Sequence, residues 1–246
     1  MTSNKYFPYV VKITQYLQPG DDVRRLEFCH WFLNKSNEDR SFHQKIIWSD
    51  ECRITSCGIH NRHNERHWNS TNPHMVRPVR QQGRFGVNIS CFLFQNKLVY
   101  RCFEENLNAD RYMDILQSNL FDILDDVPLN EVIEIYFQQD GAPTHNALRI
   151  REYLYTHFRN RWIGTHGPIR WPPRSPDLTP PDFFLWGVLE NKIYKEVILT
   201  REQLDQRIHE AFAEIKPLHI MNALKSVRKR CQECIENNGG AFEHLR

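Results

Sequence analysis

FQQDGAPTHNA, Phe137–Ala147, sets an aspartate between a β-prone run and a Gly-Ala-Pro turn. The residues leading into it, VIEIYF at 132–137, are nearly all β-branched or aromatic, the pattern of a strand buried on both faces. Downstream, Ala147, Ile150, Leu154 and Phe158 keep a loosely helical spacing, so strand, tight turn and helix follow one another. Asp140 is thereby lifted to the carboxyl end of a strand, where open α/β sheets bind ligands and do chemistry. An aspartate at a turn also caps its own backbone, so Asp140 alone does not separate a structural turn from a functional acid.

Two further acids share its setting. KIIWSDE, Lys45–Glu51, is a short strand ending in Asp50 and Glu51. HGPIRWPPRSPDLTPPDFFLWG, residues 166–187, holds six of the chain's thirteen prolines and must run extended and stiff. It ends in a helix start, with Thr179 as N-cap, Pro180 at the first helical position and Asp182 three residues after the cap. Alone, Asp182 reads as the acid of a capping box, worth about 0.3–1 kcal/mol. As a set, two strand-end acids and one helix-start acid can converge above one sheet edge. Converging carboxylates repel unless a cation neutralises them, and hard oxygen ligands select Mg2+ or Mn2+. Two such ions about 3.5–4 Å apart activate a water or hydroxyl and stabilise the leaving oxygen in phosphodiester cleavage.

The remaining segments fit one α/β domain, a mixed sheet flanked by helices. The chain has 246 residues, 40% of them hydrophobic, enough for one sizeable core. Asp21 or Asp22 can cap a helix running to Leu33. FGVNISCFLF, Phe85–Phe94, and Lys97–Phe103 read as a hairpin turning at Gln95-Asn96. Asn108 can cap a helix with Tyr112, Ile115, Leu116, Leu120, Ile123 and Leu124 on one stripe. The tail reads as two helices, the first opened by a Thr200/Gln203 capping box and the second stopped at Gly239-Gly240. No hydrophobic run approaches the roughly 18 residues of a membrane span, and MTSNKYFPYVVK lacks the form of a secretory signal. A soluble intracellular protein is expected, and seven scattered cysteines suit a reducing compartment. A net charge of +2 neither demands nor excludes nucleic acid.

WSDE at 48–51, FQQDGAPTHNA at 137–147 and WPPRSPDLTPPDFFLWG at 171–187 resemble the three acidic blocks of mariner-like transposases, members of the DDE/D superfamily with a ribonuclease H-like core. The likeness runs on through NRHNERHWNSTNPH (61–74), RWIGTHGPIRWPPRSPDLTP (161–180) and the terminal FEHL, covering roughly residues 40 to 246. It implies a ribonuclease H-like fold, a need for Mg2+ or Mn2+, DNA as substrate, a possible homodimer and work in the nucleus. It assigns the catalytic, metal-holding acids to Asp50, Asp140 and Asp182, with 41 residues between the last two, and favours Asp182 over the nearby Asp177. It divides the chain into a residual linker and helix (1–40), a catalytic domain (41–200) and a C-terminal helical extension of that domain (201–246). Three departures stand out. The family carries a helix-turn-helix region ahead of the core, whereas this chain starts almost at the core, so recognition of specific transposon ends is not expected of these residues. Ser90, in VNIS, replaces a usual tryptophan, and Tyr100-Arg101 replaces a usual Gly-Pro after the hairpin.

Glu51 and His145 are supporting candidates beside the acids. Arg77, Arg80 and Arg84, the run from Lys225 to Arg230, and Arg170 with Arg174 can all track phosphates; the first two groups are more simply read as solvated surface, and Arg170 and Arg174 are the better candidates because they flank the third acid. Cys57, His60, His63 and His67 lack the paired spacing of structural zinc motifs, and Cys231 with Cys234 is more simply a helix face. The expected chemistry is metal-dependent cleavage and transfer of DNA strands. Its rivals are a non-catalytic remnant or domesticated module binding nucleic acid or a partner, and a nuclease acting on RNA–DNA hybrids.

Overall fold

The computed structural model describes residues 15–56 and 85–243. In chain order come helix α1 (Asp21–Glu38), strand β1 (Ile46–Thr55), strands β2 (Gly86–Phe94) and β3 (Lys97–Phe103), helix α2 (Ala109–Leu124), the short helix α3 (Leu129–Val132) and strand β4 (Tyr136–Gln138). Helix α4 (Leu148–Phe158) and strands β5 (Trp162–Gly164) and β6 (Ile169–Arg170) follow. A π-helical stretch, Pro181–Trp186, then runs into α5 (Gly187–Ile193), and α6 (Arg201–Ala213) and α7 (Pro217–Glu236) close the chain.

The strands form one sheet in the order β3-β2-β1-β4-β5-β6. The first three pair antiparallel, and β1, β4, β5 and β6 pair parallel. Successive side chains of a strand point to opposite faces, and the two faces carry separate cores. Ile46, Trp48, Ile54, Val87, Ile89, Cys91 and Leu93 pack with residues of α1, α5, α6 and α7. Ile47, Phe92, Phe94 and Phe137 pack with α2 and α4. Helix α1, expected as a residual piece ahead of the domain, contributes Phe28, Cys29 and Phe32 to the first of these cores.

The hairpin turns where expected, with Gln95 at φ 52. Asn108 caps α2 by accepting the Arg111 N–H at 2.8 Å, and Thr200 and Gln203 form the full capping box. Four expectations need correction. The strand expected over 132–137 is confined to Tyr136–Gln138, because Val132 closes the short helical turn that follows Pro128. Strand β1 does not stop at Glu51; its antiparallel pairing with β2 carries it on to Thr55. Neither Asp21 nor Asp22 caps α1, whose cap is Gly20; Asp21 lies inside the helix and accepts the Gln18 N–H. Thr179 precedes the helical start at Pro180, but its hydroxyl donates back to the Ser175 carbonyl and the expected capping box is not formed.

Tyr100, one of three residues that depart from the resembled pattern, stacks flat on Phe212 of α6, with centroids 3.7 Å apart and planes within 6°. Its hydroxyl meets His209 Nδ1 at 2.7 Å. The departure therefore docks α6 onto the hairpin. At the other end of the chain, Gly239 has φ +78, and a Cβ there would lie 2.3 Å from the Asp22 carbonyl oxygen. Gly239→Ala should therefore cost more than about 1 kcal/mol of unfolding free energy, read from urea denaturation. A variant as stable as the parent would contradict this backbone-to-backbone packing.

Candidate active site

The sheet register brings the first two acids together. Trp48 pairs with Gln138 across the parallel β1–β4 contact, so Asp50 in β1 and Asp140 just past the end of β4 each follow two residues after that pair. Asp50 shares its side of β1 with Trp48, whose face is covered by the helices that follow the proline connector. From that layer the third acid arrives. Asp182 and Trp186 lie four residues apart, about one helical turn, and both meet Asp50. Trp186 Nε1 donates to Asp50 Oδ2 at 2.7 Å, and Asp182 lies close enough for its charge to bear on the Asp50 carboxyl. Single turns of π-helix such as Pro181–Trp186 are frequent at functional sites.

Glu51 points the other way, to the opposite face of β1, and there meets His145. The His145 ring nitrogens lie 2.7 Å from Asp140 Oδ1 and 3.0 Å from Glu51 Oε2. These are ion-pair distances, although neither ring N–H is well aligned as a hydrogen bond. The ring is 1% exposed and lies against Tyr112, centroids 4.0 Å apart. The Tyr112 hydroxyl donates to Gln139 Oε1 at 2.9 Å, and Gln139 Nε2 donates to the His145 carbonyl at 3.0 Å. Ser90, opposite Glu51 in the β1–β2 register, donates to Glu51 Oε1 at 3.0 Å. Asp140 also accepts the Ala142 N–H at 2.9 Å, so it serves the turn and the site together.

The electrostatics divide the acids into two kinds. Burial first, then the charges of Asp182 and Glu51, push Asp50 well above the ordinary carboxylate range against the pull of Trp186. Crowding by protein and the charge of Asp140 push Asp182 up as well, though its surface stays open to solvent. Asp140 moves the other way: burial would raise it, but His145 and the Ala142 N–H hold it below the usual range. Burial would discharge His145, yet the charges of Glu51 and Asp140 outweigh this and raise it to about 10. An imidazolium thus braces Asp140 and Glu51, while Asp50 and Asp182 have no cation beside them among the described residues and are pushed up chiefly by burial.

Such a donor set fits hard divalent cations, because ionised oxygens crowded together are stabilised by the charge they lack. Among the described residues no three His, Cys, Asp or Glu side chains are already closed around one point as a cage.

The pH dependence has a definite sign. Asp50 and Asp182 hold protons more tightly when folded, so stability falls as pH rises from their ordinary value of 3.8 through their raised values. His145 acts in the same direction, its contribution full below 6.5 and lost as pH rises through about 10. The lowered Asp140 has the opposite sign, and its contribution disappears on acidification below 3.8. In a metal chelator the melting temperature should therefore decline between about pH 5 and pH 7, and Asp50→Asn should make the decline shallower. A wild-type melting temperature that rises over that interval would refute the repulsion described here.

The basic candidates fare differently. Arg170 is exposed on β6 and donates to the Thr165 carbonyl. Arg174, expected to meet phosphate, has a partner within the chain. Its Nε and Nη2 bind buried Asp21 at 2.5 and 2.7 Å, tying the connector to α1. Arg77, Arg80 and Arg84, and the Cys57, His60, His63 and His67 group, lie outside the described residues. Trp186, Ser90 and Tyr112 were not placed beside the acids from the sequence. The four-residue step from Asp182 and the hairpin register opposite Glu51 were the signals that could have found the first two.

No protein-family profile matches the chain. It is 26% identical over 204 residues to the Transposable element Tc1 transposase of Caenorhabditis elegans, covering 81% of this chain and 70% of that one. The fold superposes on a pre-cleavage Mos1 transpososome with a TM-score of 0.81 at 20% identity, covering 98% of this chain and 69% of that one. On the catalytic domain of Mos1 mariner transposase the TM-score is 0.71 at 20% identity, covering 94% of this chain and all of that one. The mixed sheet with helices on both faces is the ribonuclease H-like core of that domain. The chain is thus similar in sequence to a Tc1 transposase and in fold to the catalytic domain of Mos1 mariner transposase.

Proposed function

We propose that this domain cuts and joins DNA strands with Mg2+ or Mn2+ held by Asp50, Asp140 and Asp182. The observation that carries the reading is that Asp182 and Asp140 lie near enough to Asp50 for their charges to raise it, with Asp50 and Asp182 both pushed up first by burial. The Mos1 paired end complex has been crystallised with Mn and with Mg, which supports the choice of ion. When bound, the ions supply an activated water or hydroxyl and neutralise charge on the leaving oxygen. The protein's own part is to hold the acids. Trp186 fixes the Asp50 carboxylate, His145 braces Asp140 against Glu51, and the stiff connector delivers Asp182. The substrate is DNA, two copies of the chain act on paired ends, and the work belongs in the nucleus.

The test is strand cleavage of supercoiled and of terminal-repeat DNA with Mg2+, Mn2+ or chelator, followed by joining of cut ends to a target. Metal-dependent nicking is expected, with Mn2+ at least as effective as Mg2+. Among the described residues no ready-made cage exists, and this favours one second reading, a non-catalytic nucleic-acid-binding or protein-interaction module. DNA binding with no cleavage in either metal would establish that second reading.

A further inference from the structure

Asp177, set aside in sequence as a neighbour of the third acid, lies at the centre of a buried polar hub. It is 7% exposed and sits in a 3-10 turn, Pro176–Leu178, five residues before Asp182. Arg25 of α1, 1% exposed, reaches it with both arms of its guanidinium, Nη1–Oδ1 2.7 Å and Nη2–Oδ2 2.5 Å. The same guanidinium donates to Ser175 Oγ at 2.9 Å and to the Gly239 carbonyl at 2.7 Å. Arg230 of α7 donates to the Asp177 carbonyl at 2.8 Å, and its guanidinium carbon lies 3.7 Å from the ring centre of Phe183, the residue after Asp182.

Two helices far apart in sequence, α1 and α7, thus grip the connector just ahead of the third acid. Between the grip and Asp182 stand only Leu178, Thr179, Pro180 and Pro181. Proline fixes φ near −65° and restricts the residue before it, so little rotation is left to absorb a shift. Leu178 is fully buried and Pro181 is buried too. A displacement at Asp177 must therefore reach Asp182. A planar fork with five donors is suited to this task, since it fixes direction as well as distance.

We infer that Arg25, through its bidentate pair with Asp177, is a positioning residue that sets where Asp182 stands in the metal site. This role rests on the metal reading of the three acids. In the cleavage site proper Arg25 touches nothing; it acts only through the connector.

The test measures Mn2+ binding by loss of the free-ion paramagnetic resonance signal, with wild type, Asp182→Asn, Arg25→Lys and the double variant Arg25→Met with Asp177→Leu. The double variant orphans no buried charge, so it should fold, while losing the fork. Its Mn2+ dissociation constant should rise roughly tenfold or more, the range expected when the partner orienting a metal ligand is lost. Arg25→Lys should fall between it and wild type. Mn2+-dependent cleavage should recover at high Mn2+ in the double variant, whereas a merely unfolded fraction would lower the plateau and leave the midpoint unchanged. Wild-type Mn2+ affinity in a folded double variant, alongside weakened binding in Asp182→Asn, would overturn the inference and leave the metal reading intact. Identical binding by wild type and Asp182→Asn would remove the metal reading and this inference with it. If the double variant does not fold, hydrogen exchange of the wild type decides. Slowing by Mn2+ that extends from 176–186 to 237–241 and the first turns of α1 supports the coupling, and slowing confined to 176–186 refutes it.

Discussion

Asp140→Asn should abolish metal-dependent strand cleavage, with a loss well beyond the roughly 10–100-fold that follows removal of an outer partner of a metal ligand. The substitution is close in size, and the remaining side-chain oxygen can still accept the Ala142 N–H that now binds Asp140 at 2.9 Å. The turn therefore survives, and what disappears is the charge. That charge has two dependants, the cation to be held and the His145 imidazolium 2.7 Å away. Because Asp140 is the acid whose pKa is held low, it is ionised at neutral pH without any metal and is the natural first contact for an arriving cation. Nicking of supercoiled DNA in Mn2+ is the measurement, with circular dichroism confirming a native fold. A variant retaining a tenth or more of wild-type activity would remove Asp140 from the metal site.

Asp177→Ala should be the most destabilising of the changes considered, by roughly 3–5 kcal/mol, the cost of leaving one member of a buried ion pair uncompensated. Arg25 would keep its bonds to Ser175 and Gly239, which places the expectation toward the lower end. The guanidinium is 1% exposed and cannot shed its charge by deprotonation, so no cheap route out of the penalty is open. Replacing both partners by apolar residues should restore most of the loss, because a well-packed apolar pair is often as stable as a buried ion pair. Urea unfolding of the single and double variants measures both effects. A single-variant cost below about 1 kcal/mol would mean that water reaches the hub and that the pair is a surface one in effect.

How much was legible before folding differs from residue to residue, and for physical reasons. Local signals survived where they depend on a few neighbouring residues. The Asn108 cap, the Thr200/Gln203 box and the Gln95-Asn96 turn are each written within about four positions, and each formed. Strand ends were less secure. Strand β1 runs past Asp50 because β2 pairs with it as far as Thr55, and β4 is short because a helical turn takes Val132; pairing partners decide where a strand stops. In the opening stretch the turn reading and the functional reading of Asp140 looked like rivals, and in the folded chain the carboxylate both accepts the turn's Ala142 N–H and pairs with His145.

The sequence by itself determined the order of strand, turn and helix and the residue types able to hold a hard cation, since propensity and side-chain chemistry are properties of short segments. Only the tertiary structure decided which of those acids repel and which are braced. Asp50 and Asp182 become partners across 132 residues of chain because the parallel register and the connector bring them to one face. It also gave Arg174, expected to meet phosphate, a partner in Asp21, and took Asp177 from an apparent bystander to the centre of a buried hub. Charge in a sequence carries a sign but no partner. The partner is chosen when burial makes an unpaired charge too costly, and that cost exists only once the chain has folded.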